Sequence, residues 1–302
     1  MNKDILNIAY IYIGTVIGAG FASGREIIDF FGVYGTKGII GMVISGLLFA
    51  FIGAYILIKV YQLKIKNSNE LLNIIFGEKI SLFIEVIISI FLFMGFSIML
   101  SGSGAAFHDE FNLPFDFGIY LMASLCFIVF LFKIQGLSFI NTLLVPILII
   151  GILFLSVNVL LKGEIELNSA IGVKLTNKGN FITSSMLYVG FNGLLTTVVL
   201  SSLLPLLPNK ETAMKGGILG GISLGVIGCL ILIPLLILYT ETHNIEIPML
   251  KVSEYVNLYY RKIYSIILWF AMFTTAIANG YCFLENSLKN KNKNISALVF
   301  CI

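Results

Sequence analysis

The sequence is divided by eight long runs that contain no charged residue. They cover residues 5–24, 38–58, 86–107, 117–132, 134–161, 179–209, 216–240 and 263–284. A helix that crosses the hydrocarbon core of a bilayer needs about 20 apolar residues, and only the run at 117–132 is clearly shorter. Charged residues make up 12% of the chain, against about 25% in soluble domains. The sequence therefore predicts an all-α, polytopic transmembrane bundle whose surroundings are the lipid bilayer of the cell membrane.

The two ends of the chain refine this topology. A ninth apolar run begins at residue 295 and reaches the last residue, 302, so we expect eight full spans, the start of a ninth and a C-terminally incomplete fold. The N-terminus lacks a signal-peptide cleavage pattern, which predicts that the first span is retained. Lysine and arginine are more frequent in the loops on the N-terminal side, and this bias predicts a cytoplasmic N-terminus.

The first span is unusually rich in glycine. Gly14, Gly18, Gly20 and Gly24 fall in one short apolar stretch, and each lowers helix stability and permits backbone angles that other residues avoid. The stretch at 5–33, which includes the charged turn after Gly24, is also longer than a straight helix needs to cross the membrane. We expect an unwound segment between Gly18 and Gly24. The alternative is close helix packing, because these glycines also have small-xxx-small spacing.

A second copy of this pattern favours the unwound segment. The Tyr-Ile-Gly at 12–14 returns as Tyr-Val-Gly at 188–190 in the sixth span, and the Lys-Gly at 37–38 returns at 215–216. We therefore predict a single transmembrane domain over 1–302 built from two inverted halves, 1–162 and 179–302, with a second interruption near Asn192. Inverted repeats with discontinuous helices indicate secondary transporters that bind their solute near the bilayer midplane.

At these residues the chain resembles the five-plus-five inverted-repeat fold of the amino acid, polyamine and organocation superfamily, often called the LeuT fold. The stretch at 14–26, Gly-Thr-Val-Ile-Gly-Ala-Gly-Phe-Ala-Ser-Gly-Arg-Glu, looks like the YkvI family of bacterial membrane proteins, whose members are expected to be transporters. The resemblance extends over essentially the whole chain, but only the first-span stretch is specific. It implies a fold more firmly than a substrate.

The resemblance also implies a cation site. Sodium-coupled members of the fold hold the ion between first-span carbonyls and an Ala-x-x-Thr-Thr pattern in the eighth span. In this chain the matching groups are the carbonyls of Gly14, Ile17 and Ala271 and the hydroxyls of Thr274 and Thr275. Oxygen ligands suit a hard cation such as sodium. The alternative is that both hydroxyls simply bond to carbonyls one turn earlier in their own helix.

The resemblance further implies a solute site between the first and sixth spans. Its candidate residues are Gly18, Ala19, Gly20 and Phe21, facing Tyr188, Phe191 and Asn192. Arg25 is the one cation in the second half of the first span, and we interpret it as an external gate. The structural alternative for Arg25 is an ion pair with Asp29 one helical turn later.

These features predict a secondary active transporter that carries an amino acid or similar small solute in symport with sodium, with no other cofactor. The alternative is a transporter-like membrane sensor, or a subunit of germination-receptor type, that binds solute without transporting it. Proton coupling is the competing mechanism, and Glu85 is its candidate, although a carboxylate so near the end of a span can also simply reach the interface. The sequence carries no motif typical of a membrane enzyme.

Overall fold

The computed structural model describes residues 3–162 and 179–287. Within these ranges the chain forms α-helices joined by short turns, and no strand is present. The helices are α1 (Lys3–Val16), α2 (Ala19–Ala22), α3 (Arg25–Phe30), α4 (Thr36–Leu63), α5 (Ser68–Phe76), α6 (Glu78–Phe111), α7 (Phe115–Leu131), α8 (Lys133–Lys162), α9 (Phe181–Ser201), α10 (Lys210–Ile237), α11 (Tyr239–Thr242), α12 (Pro248–Val256) and α13 (Leu258–Ser287).

The predicted spans correspond to these helices. Six of the described helices, α4, α6, α8, α9, α10 and α13, are each long and apolar enough to cross a membrane, and α7 is a shorter apolar helix. The successive segments α1, α2 and α3 form the discontinuous first span. In the described part of the chain the all-α, eight-span bundle is thus confirmed. The ninth run at 295–302 lies outside the described residues.

The short helices outside the spans form where their local sequences favour them. The Asn67 side chain accepts a hydrogen bond from the Glu70 amide at 3.0 Å and so caps α5, and Gly77, with a φ of 76°, ends it. Because only glycine tolerates such a φ readily, the helix stops there. A second short helix, α12, lies in the loop after the seventh span.

Helices α4 and α10 pack against each other through small residues. Gly46, Ala50 and Ala54 of α4 face Gly225, Gly221 and Gly217 of α10, respectively. A Cβ added at Gly46 would lie 2.6 Å from the Gly225 Cα, and one at Gly221 would overlap the Ala50 backbone. Close backbone approach is a main source of helix association in lipid, where apolar burial drives little. Among the described helices, α4 and α10 form the most extensive contact.

The helix partners agree with two related halves. The first span's α1 packs along α10, while α9, its predicted equivalent, packs along α4. The repeated tyrosines Tyr12 and Tyr188 are both fully buried and both meet Phe49. The Tyr12 hydroxyl donates to the Phe49 carbonyl at 2.8 Å, and the Tyr188 ring lies 6.0 Å from the Phe49 ring. The exchange of partners is what an inverted repeat requires.

One expectation about the second half is wrong. Asn192 and Gly193 do not interrupt the sixth span, because α9 is a continuous helix from Phe181 to Ser201. Nothing lies within 4 Å of a Cβ added at Gly190 or Gly193, so neither glycine marks a close approach. An unsatisfied backbone group in lipid costs several kcal/mol, more than the roughly 1 kcal/mol that a glycine costs a helix. The helix therefore continues.

Candidate functional site

The first break in span one follows Val16. The Gly18 amide donates to the Val16 carbonyl at 2.9 Å, two residues back, and not to Gly14 four residues back as a helix would require. This turn withdraws the Gly14 carbonyl from the helical ladder, and Gly18 itself is extended, with φ −96° and ψ −166°. The break therefore leaves the Gly14 carbonyl oxygen without its helical hydrogen bond in the middle of a span. Non-helical backbone at this depth is tolerated only where protein or a water-filled cavity surrounds it.

A second break separates α2 from α3. Gly24 adopts a left-handed φ of 81°, which strongly favours glycine. A Cβ there would also lie 2.8 Å from Leu235 and 2.9 Å from Met249. The predicted unwound segment between Gly18 and Gly24 thus consists of two breaks with a single helical turn, α2, between them.

Neighbouring helices satisfy the carbonyls of this turn. The Tyr264 hydroxyl of α13 donates to the Ala22 carbonyl at 2.7 Å, and the Met249 amide at the start of α12 donates to the Ser23 carbonyl at 2.9 Å. Both donors come from elements distant in sequence. The irregular backbone is consequently held in one conformation by α12 and α13 and does not depend on its own weak helix propensity.

The structure brings two of the five predicted cation ligands together between the first break and α13, because the Thr275 hydroxyl lies 3.3 Å from the Ile17 carbonyl. The Thr274 hydroxyl lies 3.0 Å from the Ala271 carbonyl within α13 itself. Ala271, Thr274 and Thr275 are buried in the middle of α13. Gly14, the fifth, lies one turn earlier in α1, with its carbonyl released from the helix.

The alternative interpretation of the two threonines is that each hydroxyl bonds to a carbonyl one turn earlier in its own helix, and the two residues differ in this respect. Thr274 bonds within its own helix, as many membrane threonines do. Thr275 instead donates across to the carbonyl at the break. Gly18 is part of this contact, because a Cβ there would lie 3.0 Å from the Thr275 hydroxyl oxygen. The local-bonding alternative therefore describes Thr274 and is wrong for Thr275.

Sequence reasoning missed a polar group next to this site. Asn141 lies in the middle of α8, is 1% exposed and donates from Nδ2 to the Leu137 carbonyl at 2.9 Å. Its Oδ1 has no hydrogen-bond partner among the described residues and would overlap a Cβ at Gly14. Buried amide oxygens are normally satisfied. The sequence signal for Asn141 is an amide side chain inside the uncharged run at 134–161.

The predicted solute residues divide into two groups. Gly18, Ala19, Gly20 and Phe21 form the turn between the two breaks, with Phe21 fully buried. Tyr188 lies nearby in an aromatic cluster, with its ring 5.1 Å from Phe31 and 5.2 Å from Phe30.

The other two solute candidates lie elsewhere on α9. The Asn192 side chain donates to the Tyr188 carbonyl at 3.3 Å, within its own helix. Phe191 is 62% exposed and stacks on Phe30 of α3 at 6.2 Å. These contacts bring neither side chain to α2, because a continuous α9 turns successive residues to different faces.

Arg25 makes both the predicted local pair and a long-range link. Its guanidinium binds both Asp29 carboxylate oxygens, at 2.7 and 3.1 Å. It also donates to the carbonyls of His243 at 2.9 Å and Ile245 at 3.3 Å. Residues 239–256, which comprise α11, α12 and the turn between them, lie over the second break and are called the cover below. Arg25 thus joins the first span to the cover.

The remaining expectation concerned Glu85. Its carboxylate accepts a hydrogen bond from the Asn69 side chain at 2.7 Å, so it belongs to the packing of α5 on α6. A different carboxylate, that of Glu26, is enclosed at the break. It could not be singled out from the sequence, because it is one of several charged residues that follow Gly24.

The fold is that of the LeuT-like transporters. The chain is similar to the solved structure of MHP1, a nucleobase-cation-symport-1 family transporter in a closed conformation with bromovinylhydantoin bound, with a TM-score of 0.75 and 15% identity over 98% of this chain and 69% of that one. It is also similar to a manganese transporter from Eremococcus coleocola, with a TM-score of 0.58 and 14% identity over 99% of this chain and 67% of that one.

Relatives in sequence include two proteins of Bacillus subtilis. The chain is 29% identical over 295 residues to the uncharacterized membrane protein YkvI, covering 97% of this chain and 84% of the relative. It is 27% identical over 268 residues to the uncharacterized protein YyaD, covering 88% and 76% respectively. No family model matches the chain.

Proposed function

We propose that this protein is a secondary active transporter that carries an amino acid or a similar small solute in symport with sodium. The solute would bind at the turn between the two breaks of the first span, and sodium between the first break and α13. Transport would proceed by alternating access, as the bundle rocks around these fixed sites. The similarity to a cation symporter of the same fold supports this class of function.

The contact between Thr275 and Ile17 is the observation that carries the proposal. A hydroxyl of one span meets a carbonyl of another at 3.3 Å, next to a backbone that has left its helix. Hydroxyl and carbonyl oxygens are the ligands that hard cations prefer. A sodium ion bound here would join α1 to α13 and thereby favour one arrangement of the first span. That is the coupling a symporter needs, because an ion shifts a conformational equilibrium only through its differential affinity for the two states.

The gate assigned to Arg25 fits the same cycle. Its hydrogen bonds to the carbonyls of His243 and Ile245 fasten the cover over the second break. Opening the pathway on that side requires these bonds to break, while the pair with Asp29 can stay intact within α3. Arg25 would then act on the rate of opening and leave cation binding unchanged.

A thermal-shift screen of amino acids on the full-length protein tests the proposal. A ligand that binds the folded state at about 100 times its Kd stabilises that state by about 2.7 kcal/mol. We expect at least one amino acid to raise the unfolding temperature in sodium but not in potassium. The variant Thr275→Val keeps the side-chain volume and removes the hydroxyl, and should lose the sodium-dependent part of the shift.

Thr242→Val is the matched control. Thr242 is also fully buried, but its hydroxyl bonds to the Leu238 carbonyl within one helical turn, so its sodium response should equal that of the wild type. A solute shift that is indifferent to sodium, or that survives in Thr275→Val, would contradict the cation site. Solute binding without uptake into vesicles would assign the protein to the sensor class instead.

A further inference from the structure

Glu26 is the second residue of α3, and its side chain folds back over the break. A Cβ added at Gly20 would overlap the Glu26 carboxylate and lie 2.8 Å from its Cγ. The carboxyl group therefore rests directly on α2, the turn that carries three of the candidate solute residues. Only a glycine at position 20 leaves room for it there.

The second carboxylate oxygen is buried and unsatisfied. Glu26 Oε2 has no hydrogen-bond partner among the described residues, and the same is true of the Tyr188 hydroxyl. Tyr188 is fully buried, and its ring lies 5.2 Å from that of Phe30, the last residue of α3. One buried polar group without a partner thus comes from the first span and another from the sixth, which packs against it.

No cation neutralises Glu26 within the described structure. The adjacent Arg25 directs its guanidinium to Asp29 and to the cover. Asp29, three residues later in α3, carries the same charge as Glu26 and is paired with Arg25. The α2 turn has no titratable side chain. The other elements packed against α3, together with the cover, carry Tyr34, Tyr188, Lys210, Glu211, Lys215, Cys229, Tyr239, Glu241, His243, Glu246, Lys251, Glu254 and Tyr255. Among the described residues none of these is in an ion pair with Glu26.

An ionised carboxylate in this position would be costly. The effective penalty for removing an ion from water into a protein interior is several kcal/mol, and only a well-placed counter-ion or hydrogen bonds offset it. A protonated carboxyl avoids the penalty and gains an O–H group.

We propose that Glu26 is a proton-binding residue, and that its proton is taken up and released as the first span changes conformation. With the cover closed, the carboxyl keeps its O–H bond. When the cover opens and water reaches the second break, the O–H bond breaks, the proton passes to water and the carboxylate remains hydrated. Closing the break again requires a proton to return. This inference rests on the proposed function, to which it adds a second coupled cation.

Infrared spectroscopy of the full-length protein in lipid tests the first part without any solute. The carbonyl stretch of a protonated, buried carboxyl should be present near neutral pH, where an ordinary glutamate with a pKa of about 4.3 is ionised. Glu26→Gln should abolish this band, and Glu85→Gln, which changes a carboxylate that is hydrogen-bonded to Asn69, should leave it unchanged. Absence of the band in the wild type, or its persistence in Glu26→Gln, would overturn the proposal.

A second variant tests the assignment of the infrared band without replacing Glu26 itself. Gly20→Ala introduces a methyl group where the carboxyl rests, so the carboxyl must leave the turn, and the band should be lost although Glu26 is retained. A band of unchanged intensity and frequency in a folded Gly20→Ala protein would contradict the packing on which the inference depends.

Transport measurements test the coupling. In vesicles, an imposed pH gradient should alter wild-type uptake of a solute found in the thermal-shift screen, and Glu26→Gln should reduce that response to the level seen without a gradient. A full pH response in Glu26→Gln would overturn the coupling role. Failure of the proposed function has a different signature, namely no sodium-dependent shift and no uptake by the wild type, with the infrared band unaffected.

Discussion

Replacing Gly46 by alanine should destabilise the seam between α4 and α10. The new Cβ would lie 2.6 Å from the Gly225 Cα, 3.2 Å from its nitrogen and 3.6 Å from the Gly221 carbonyl oxygen. All three are backbone atoms, so no side chain can rotate away. Carbon atoms in contact are about 3.5–4.0 Å apart, and the two helices would have to separate locally by about 1 Å.

The magnitude follows from two opposing terms. Overpacking of a well-packed interior costs about 1–3 kcal/mol, and the absence of a movable neighbour puts Gly46→Ala at the upper end of that range. Alanine regains about 1 kcal/mol of helix propensity. We therefore expect a net loss of about 2 kcal/mol in the free energy of unfolding, which corresponds to a fall of roughly 4–8 °C in Tm.

Gly190→Ala provides the control because it has the same chemical change and the same gain in propensity. Nothing lies within 4 Å of its added Cβ, so its Tm should equal or exceed that of the wild type. The assay is the loss of monodisperse protein on gel filtration after heating in detergent. A Gly46→Ala protein as stable as Gly190→Ala would refute the close seam.

Further predictions concern the first span, the cover and α6. Arg25→Gln should slow solute uptake in vesicles while the sodium-dependent thermal shift stays at the wild-type value; unchanged uptake would remove the gate. Arg261→Gln, which loses the ion pair with Glu254 of the cover at 3.3 Å, should accelerate protease cleavage of the cover, and an unaltered cleavage rate would contradict a role in holding it. Trp269→Phe, which loses the 2.6 Å hydrogen bond to Ser103, should lower the free energy of unfolding by about 1 kcal/mol, as measured by thermal unfolding, and a neutral effect would count against that bond.

The eight spans and the broken first span could be predicted because lipid imposes strict rules on sequence. Charge-free runs of sufficient length have few other uses, and glycines in mid-span signal either a break or a close approach. The structure contains both outcomes. Gly24 has a left-handed φ, whereas Gly46 is needed for helix contact. Which outcome applies depends on neighbours from other helices, and spacing alone does not supply that information.

The polar groups at the site were harder to identify. Thr275 could be found because it belongs to a pattern known from the resemblance. Glu26 could not be distinguished from an ordinary surface residue, and the only sequence signal at Asn141 was an amide inside an uncharged run. What singles out both is a buried side-chain oxygen without a hydrogen-bond partner in the described structure. Burial is a property of the assembled bundle. The same reasoning explains the error at Asn192, where local glycine content suggested a break that the surrounding lipid-facing helix does not make.

Uptake driven by an imposed sodium gradient tests the central claim most directly. The full-length protein would be reconstituted in vesicles with matched internal and external pH, and uptake of a labelled amino acid from the thermal-shift screen would be measured with inward sodium and with potassium in its place. We predict that inward sodium accelerates uptake, that Thr275→Val abolishes the acceleration and that Thr242→Val retains it. Uptake at the same rate in sodium and potassium, or equally fast in Thr275→Val, would contradict a sodium-coupled transporter whose ion binds at the break in the first span.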